Sequence, residues 1–154
     1  MGKPDRKYFA SLASKSGIKF KQDFSTAKST DAYYLHYEVS ALLNKSLTAE
    51  LFLPPGDYLV VAQATLYNNN ATGKYFGAIL SYPEGPKTVT DVRGGLLAST
   101  NNTPPETILM NCAVSFTSKK SVKFQLGSSA DVGFLAEEIK ITALRLGSLT
   151  ILAK

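Results

Sequence analysis

A chain of 154 residues, 44% hydrophobic and 19% charged, is long enough to bury a core of its own and too short for several domains. Its apolar runs fall short of the roughly 18–20 residues that cross a bilayer as a helix, and its single cysteine, Cys112, excludes an intrachain disulfide. The net charge of +5 is unevenly placed: residues 1–28 carry all of it, and residues 29–154 are neutral.

The cations at the start are Lys3, Arg6, Lys7, Lys15, Lys19, Lys21 and Lys28, against Asp5 and Asp23. Residues 1–30 are therefore expected to form a basic anchoring arm on a β domain of residues 31–154. Within the arm, PDRKYFASLASKS (4–16) fits one short helix, with Pro4 in its first turn and Gly17 just past its end. Tyr8, Phe9, Leu12 and Ala13 would share one side of it. About 13 residues make a marginal helix in water, so it needs something to pack on. The following segment alternates Ile18, Lys19, Phe20 and Lys21, an extended pattern with one apolar and one cationic edge. No apolar stretch long enough for a signal peptide opens the chain, which points to cytoplasmic synthesis. Arg6 stands where N-myristoylation needs Ser or Thr, which argues against a lipid anchor. The sequons at Asn44, Asn70 and Asn101 then read as turn residues.

From Ala32 onward, eight short β runs alternate with turn-forming residues: 32–39, 47–53, 57–67, 74–82, 87–92, 106–116, 121–126 and 137–152. Pro54-Pro55-Gly56, Asn68-Asn69-Asn70, Pro83-Glu84-Gly85-Pro86 and Asn101-Asn102-Thr103-Pro104-Pro105 punctuate them. In residues 106–116, Ile108, Met110, Cys112, Val114 and Phe116 alternate with Asn111, Ala113 and Ser115, the mark of one buried face and one wet face. Cys112 is then a core thiol. In residues 58–62, Tyr58, Leu59, Val60, Val61 and Ala62 are apolar on both faces. Another protomer or the folded-back arm should cover the second, and Tyr58, Leu59 and Val61 are the candidate oligomer interface. In the last run the apolar phase shifts after Ala143 and again before Leu149, which predicts a bulge near Ala143 and a bend at Gly147.

Catalysis finds no set of groups to work with. The one imidazole, His36, is in phase with Tyr34 and Glu38 and reads as a strand surface residue. One His and one Cys do not furnish a closed metal site. Glu137 and Glu138 are neighbours on a strand and point to opposite faces. Asp57, Asp91 and Asp131 match no EF-hand spacing, which leaves only loop-bound calcium open. Gly94-Gly95 lies in no phosphate-binding pattern and reads as a turn. No catalytic residue, metal or cofactor is expected. Nucleic acid is a weaker partner reading: lysines interleaved with Tyr8, Phe9, Phe20 and Phe24 suit phosphates and bases, but only one of seven arm cations is arginine.

At LPPGDYLVVAQATLYNN (53–69) and EEIKITALRLGSL (137–149) the chain resembles the small jelly-roll domains of phage virion proteins, which are related in shape to C1q and TNF heads. The shared pattern is a strand ending Leu-Pro-x-Gly, then Tyr-Leu-Val, and a closing Lys-Ile-Thr-Ala strand ending Gly-Ser-Leu. The resemblance covers most of residues 32–152. It implies an all-β fold, an eight-stranded antiparallel jelly-roll sandwich, here with an N-terminal basic arm containing a short helix. It also implies homotrimers packed around an axis, in capsid decoration proteins, head fibres or tail-fibre tips. The long arm departs from the pattern in a way that suits a capsid-docked protein. The expectation is a non-enzymatic virion protein, made in a host cytoplasm, with no membrane partner. It would dock on another virion protein, such as a major capsid protein. The docking residues would be Lys3, Arg6, Lys7, Tyr8, Phe9, Leu12, Lys15, Lys19, Phe20, Lys21, Phe24 and Lys28. The alternatives are a receptor- or glycan-binding tail-fibre tip that uses loops 68–73, 83–86 and 101–105, and a small viral coat protein whose arm contacts the genome.

Overall fold

Alternation of apolar and polar side chains gives each strand one face for a core and one for the surface. In a computed structural model of the chain, nine such strands form two stacked sheets. The structure describes residues 18–26, 30–43, 46–67, 74–97, 106–128 and 134–147. The expected helix at 4–16, the arm residues before Ile18, and Lys28 lie outside them.

The strands are β1 (Ile18–Asp23), β2 (Ala32–Leu43), β3 (Leu47–Leu53), β4 (Gly56–Tyr67), β5 (Lys74–Glu84), β6 (Lys87–Leu97), β7 (Glu106–Phe116), β8 (Lys120–Ser128) and β9 (Phe134–Arg145). One sheet has the order β1-β3-β8-β5-β6 and the other β2-β9-β4-β7. Four antiparallel pairs nest inside one another: β2 with β9, β3 with β8, β4 with β7, and β5 with β6. A long hairpin folded over on itself produces this order, and it is the jelly roll. Between the sheets lie Leu47, Ala49, Leu51 and Leu53 of β3, Tyr58, Val60, Ala62 and Ala64 of β4, and Val122, Phe124 and Leu126 of β8, all buried. Each fully buried large side chain contributes about 1.5–3 kcal/mol.

Each of the eight expected runs contains a strand, the last one, expected over 137–152, ending at Arg145, and β1 is a ninth. β1 pairs parallel with β3, from Ile18 opposite Leu47 to Asp23 opposite Phe52, so the sandwich is not wholly antiparallel. The direction follows from the path: the chain leaves β1, crosses to the other sheet for β2, and returns as β3 running the same way as β1. Phe20 turns inward and stacks on Tyr37 at 4.2 Å between ring centroids. Phe24 packs against Tyr33 at 5.3 Å, and its N–H donates to the Phe52 carbonyl at 2.9 Å. These two rings close the open side of the sandwich between β1 and β2. Residues 18–26 of the expected arm are thus part of the β domain.

Two further expectations are corrected. Gly94-Gly95 is no turn but the interior of β6, paired with Gly77 and Phe76. A Cβ on Gly95 would stand 2.8 Å from Phe76 Cε1, so the glycine makes room for a ring on the neighbouring strand. Ala143 sits in regular register between Tyr33 and Val60, and the irregularity falls at Glu137, where Thr65 opposite Glu138 is followed by Leu66 opposite Ala136. The apolar phase shifts after Ala143 because Leu144 faces outward, while the backbone continues undisturbed. Gly147 does lie in a bend, just beyond β9.

The Pro83–Pro86 stretch folds as expected, into a tight hairpin with Glu84 opposite Lys87. Gly85 has φ 59°, and Pro86 is restricted to negative φ; this positive-then-negative sequence is that of a type II′ turn.

Candidate functional site

The two sheets turn opposite chemistries outward. On the four-stranded sheet the registers align Ala32, Leu144, Leu59 and Ala113 in one row and Tyr34, Thr142, Val61 and Asn111 in the next. A third row holds His36, Lys140, Gln63 and Leu109. Among the described residues, the exposed large hydrophobic side chains are Tyr34 (49% exposed), Leu109 (46%), Leu144 (42%) and Leu59 (37%), and all four belong to this face. Its charges are tied to one another: Glu138 accepts from Lys140 Nζ at 3.1 Å and lies 3.1 Å from His36 Nε2. Lys140, then His36, hold the Glu138 carboxyl below its ordinary pKa.

Of the expected oligomer contacts, Leu59 and Val61 lie on this face. Tyr58 does not: its ring is fully buried between the sheets, against Tyr33 and Phe116. Its hydroxyl donates to the Pro54 carbonyl at 2.9 Å, and burial pushes its pKa up. An all-apolar run gives no phase, so Tyr58 and Leu59 were indistinguishable by pattern. Tyr34, Leu109 and Leu144 were missed. The signal for two of them was an extra leucine beside a buried neighbour, Leu109 after Ile108 and Leu144 after Ala143.

The outer face of the five-stranded sheet is cationic and hydroxylated. Its registers place Lys21, Glu50, Lys123, Ser81 and Thr90 in one row, and Lys19, Thr48, Gln125, Ile79 and Val92 in the next. Phe52 lies half-buried under two ammonium groups, with Lys21 Nζ 4.5 Å and Lys119 Nζ 5.4 Å from its ring centroid. Both carboxylates on this face are engaged. Glu50 Oε1 accepts from the Ser121 hydroxyl at 2.6 Å and lies 4.0 Å from Lys123 Nζ. Asp23 accepts from the Ser25 N–H at 2.9 Å and from Lys119 Nζ at 3.3 Å, and its pKa is lowered to about 2, chiefly by Ser25.

Near Phe52 the sheet opens. β5 and β8 are paired as far as Ser81 opposite Lys123, but both strands continue beyond it, β5 with Pro83, which has no N–H to offer. The separation leaves a cleft of about 230 Å3 lined by Ser81, Tyr82, Pro83, Thr88, Lys120, Ser121 and Lys123. The Tyr82 hydroxyl donates to Asp91 Oδ2 at 3.0 Å, and burial followed by that contact raises its pKa to about 12.

Of the expected arm contacts, Lys19 and Lys21 are exposed on this cationic face, whereas Phe20 and Phe24 pack against the chain's own core. Lys3, Arg6, Lys7, Tyr8, Phe9, Leu12, Lys15 and Lys28 lie outside the described residues. Of the three loops proposed for a receptor, 68–73 and 101–105 lie outside the described residues. The strands flanking 68–73 and 101–105 end on the side of Ile18, and the hairpin at 83–86 is at the opposite end. Cys112 is buried in β7, which lifts its thiol pKa to about 12, and His36 is a strand surface residue as expected.

No protein-family model matches the chain, and no curated protein matches it. Solved structures similar to it include a protein of infectious bursal disease virus, Gx strain (11% identity, TM-score 0.48, covering 79% of this chain and 35% of that one). Another is the CBM22-1–GH10 portion of Clostridium thermocellum xylanase 10B (13%, TM-score 0.49, 92% and 26%). A third is the TNF Eiger from S. frugiperda (11%, TM-score 0.37, 82% and 92%). The chain thus spans about a third of the viral protein and a quarter of the xylanase. The class assigned here, a jelly-roll sandwich, rests on the strand order itself.

Proposed function

We propose that this chain is a non-enzymatic structural component of a virion, a capsid decoration or head-fibre protein that assembles as a trimer and docks through its basic N-terminal segment. One observation carries the reading: the exposed surface is divided, with large apolar side chains on the four-stranded face and lysines around the five-stranded one. A contiguous apolar face is what self-association uses, and scattered exposed hydrophobics are not. In this reading the protomers meet through Leu59 and Val61, joined by Tyr34, Leu109 and Leu144.

Docking falls to residues 1–17 together with Lys19 and Lys21, because the apolar area of Phe20 and Phe24 is already spent within the domain. Three basic segments held in one trimer turn modest single contacts into durable attachment through effective concentration. The test is removal of residues 1–17, which spares β1. The shortened protein is expected to stay folded and trimeric and to lose its place on purified particles of the virus that encodes it. Recovery of the shortened protein on those particles overturns the proposal.

A further inference from the structure

We infer that the cleft between β5 and β8 is a docking site for a carboxylate-rich segment of a partner protein. The inference deepens the docking proposal, and rests on it for the partner being a protein. It moves one contact from the N-terminal segment into the sandwich itself.

The cleft exists because the ladder stops at Ser81 and Lys123 while both strands run on. Lys120 and Lys123 line it, with hydroxyl donors on Ser81 and Thr88, while the Ser121 hydroxyl is already given to Glu50. Among the described residues no carboxylate pairs with Lys120, and the nearest to Lys123 is Glu50, 4.0 Å away and already bonded to Ser121. Lys21 and Lys119 extend the cationic rim across Phe52. Ammonium groups and hydroxyls around a small opening can supply charge-assisted hydrogen bonds for carboxylate oxygens.

The occupant comes from another protein by charge. Residues 1–17 hold Lys3, Arg6, Lys7 and Lys15 against Asp5, and residues 148–154 hold Lys154 and no acid. Those segments share the sign of the site. A second copy offers Asp31, Glu84 and Glu106 only singly on its described surface, and Glu138 already held by Lys140 and His36, so it presents no carboxylate-rich segment there. The row Lys21–Glu50–Lys123 also alternates in sign. Discrete carboxylates can straddle Glu50, whereas a continuous phosphate chain would have to cross it.

The test titrates full-length protein into fluorescein-labelled octaglutamate at low salt, read by anisotropy. Octathymidylate serves as a second probe. Lys120→Gln with Lys123→Gln should weaken octaglutamate binding about tenfold or more, whereas Gln at Lys3, Arg6, Lys7 and Lys15 should change it less than about threefold. Both variants replace charges without removing core, and unchanged melting temperatures confirm that they fold. Amide shifts on adding octaglutamate should centre on Ser81, Thr88 and Ser121. The inference is overturned if octaglutamate does not bind, if the cleft variant binds it as well as the native chain, or if octathymidylate binds more tightly. Loss of particle attachment on removing residues 1–17 is read separately, so either proposal can fail without the other.

Discussion

The two outer faces of this sandwich are made by the same device and carry opposite chemistry. Both come from strands that alternate inward and outward side chains, and both cover the same core. On β2, β4, β7 and β9 the outward positions include Tyr34, Leu59, Leu109 and Leu144; on β1, β3 and β8 they include Lys21, Thr48, Ser121, Lys123 and Gln125. Alternation decides which residues face out, and the residues found there decide what the face is for. An apolar outer face calls for a cover of matching chemistry, while a cationic one with hydroxyls is stable in water and selects anions.

The contrast between inward and outward positions is sharpest within the five-stranded sheet, where Phe124→Ala and Phe52→Ala can be set side by side. Phe124 is fully buried, and its truncation should cost about 3–5 kcal/mol. Phe52 lies outward under Lys21 and Lys119, and its truncation should cost about 1 kcal/mol or less. Urea unfolding of the two variants measures the gap, and equal losses would break the assignment of faces. The packing of the β6 edge is tested by Gly95→Val, which drives a side chain into the Phe76 ring and should cost about 1–3 kcal/mol. Gly147→Ala, with nothing within 4 Å of the added carbon, should melt within about 0.5 kcal/mol of the native chain.

Smaller still is Tyr58→Phe. It deletes the hydroxyl that bonds the Pro54 carbonyl and leaves the ring in the core, for an expected loss of about 1 kcal/mol by the same unfolding assay. The smallest effect is electrostatic. Asp23 is held near 2 in the folded chain against an ordinary 3.8, so its contribution to stability is complete above 3.8 and is lost as the pH falls from there to about 2. A carboxyl-carbon NMR titration should find its midpoint near 2, and Ser25→Ala should move that midpoint up. A midpoint at the ordinary value would remove Asp23 from the set of engaged carboxylates on the cationic face.

The strands most legible in the sequence are those whose alternation is clean. Residues 106–116 declare which side of β7 is buried, Cys112 included, and that is the side the structure buries. Where both faces are apolar, as from Tyr58 to Ala62, the pattern marks a covered strand without saying which residue is inside. β1 was readable as extended from Ile18 to Lys21, but its partner β3 lies beyond β2, and no local signal names it. Gly94-Gly95 misled for the same reason: the Phe76 ring that requires Gly95 arrives from another strand. Lys119, Lys120 and Lys123 are close in sequence, but the cleft was beyond reach, because Lys21, Ser81 and Thr88 join them only when β1, β3, β8, β5 and β6 are laid side by side.

Self-association through the four-stranded face is the claim on which the rest depends, and sedimentation equilibrium tests it most directly. The native chain should run at three times its 16.6 kDa, and Leu59→Lys with Leu144→Lys should run at 16.6 kDa while keeping its β-sheet spectrum. A native chain that stays monomeric at high concentration, or a double-lysine variant that remains trimeric, would contradict it.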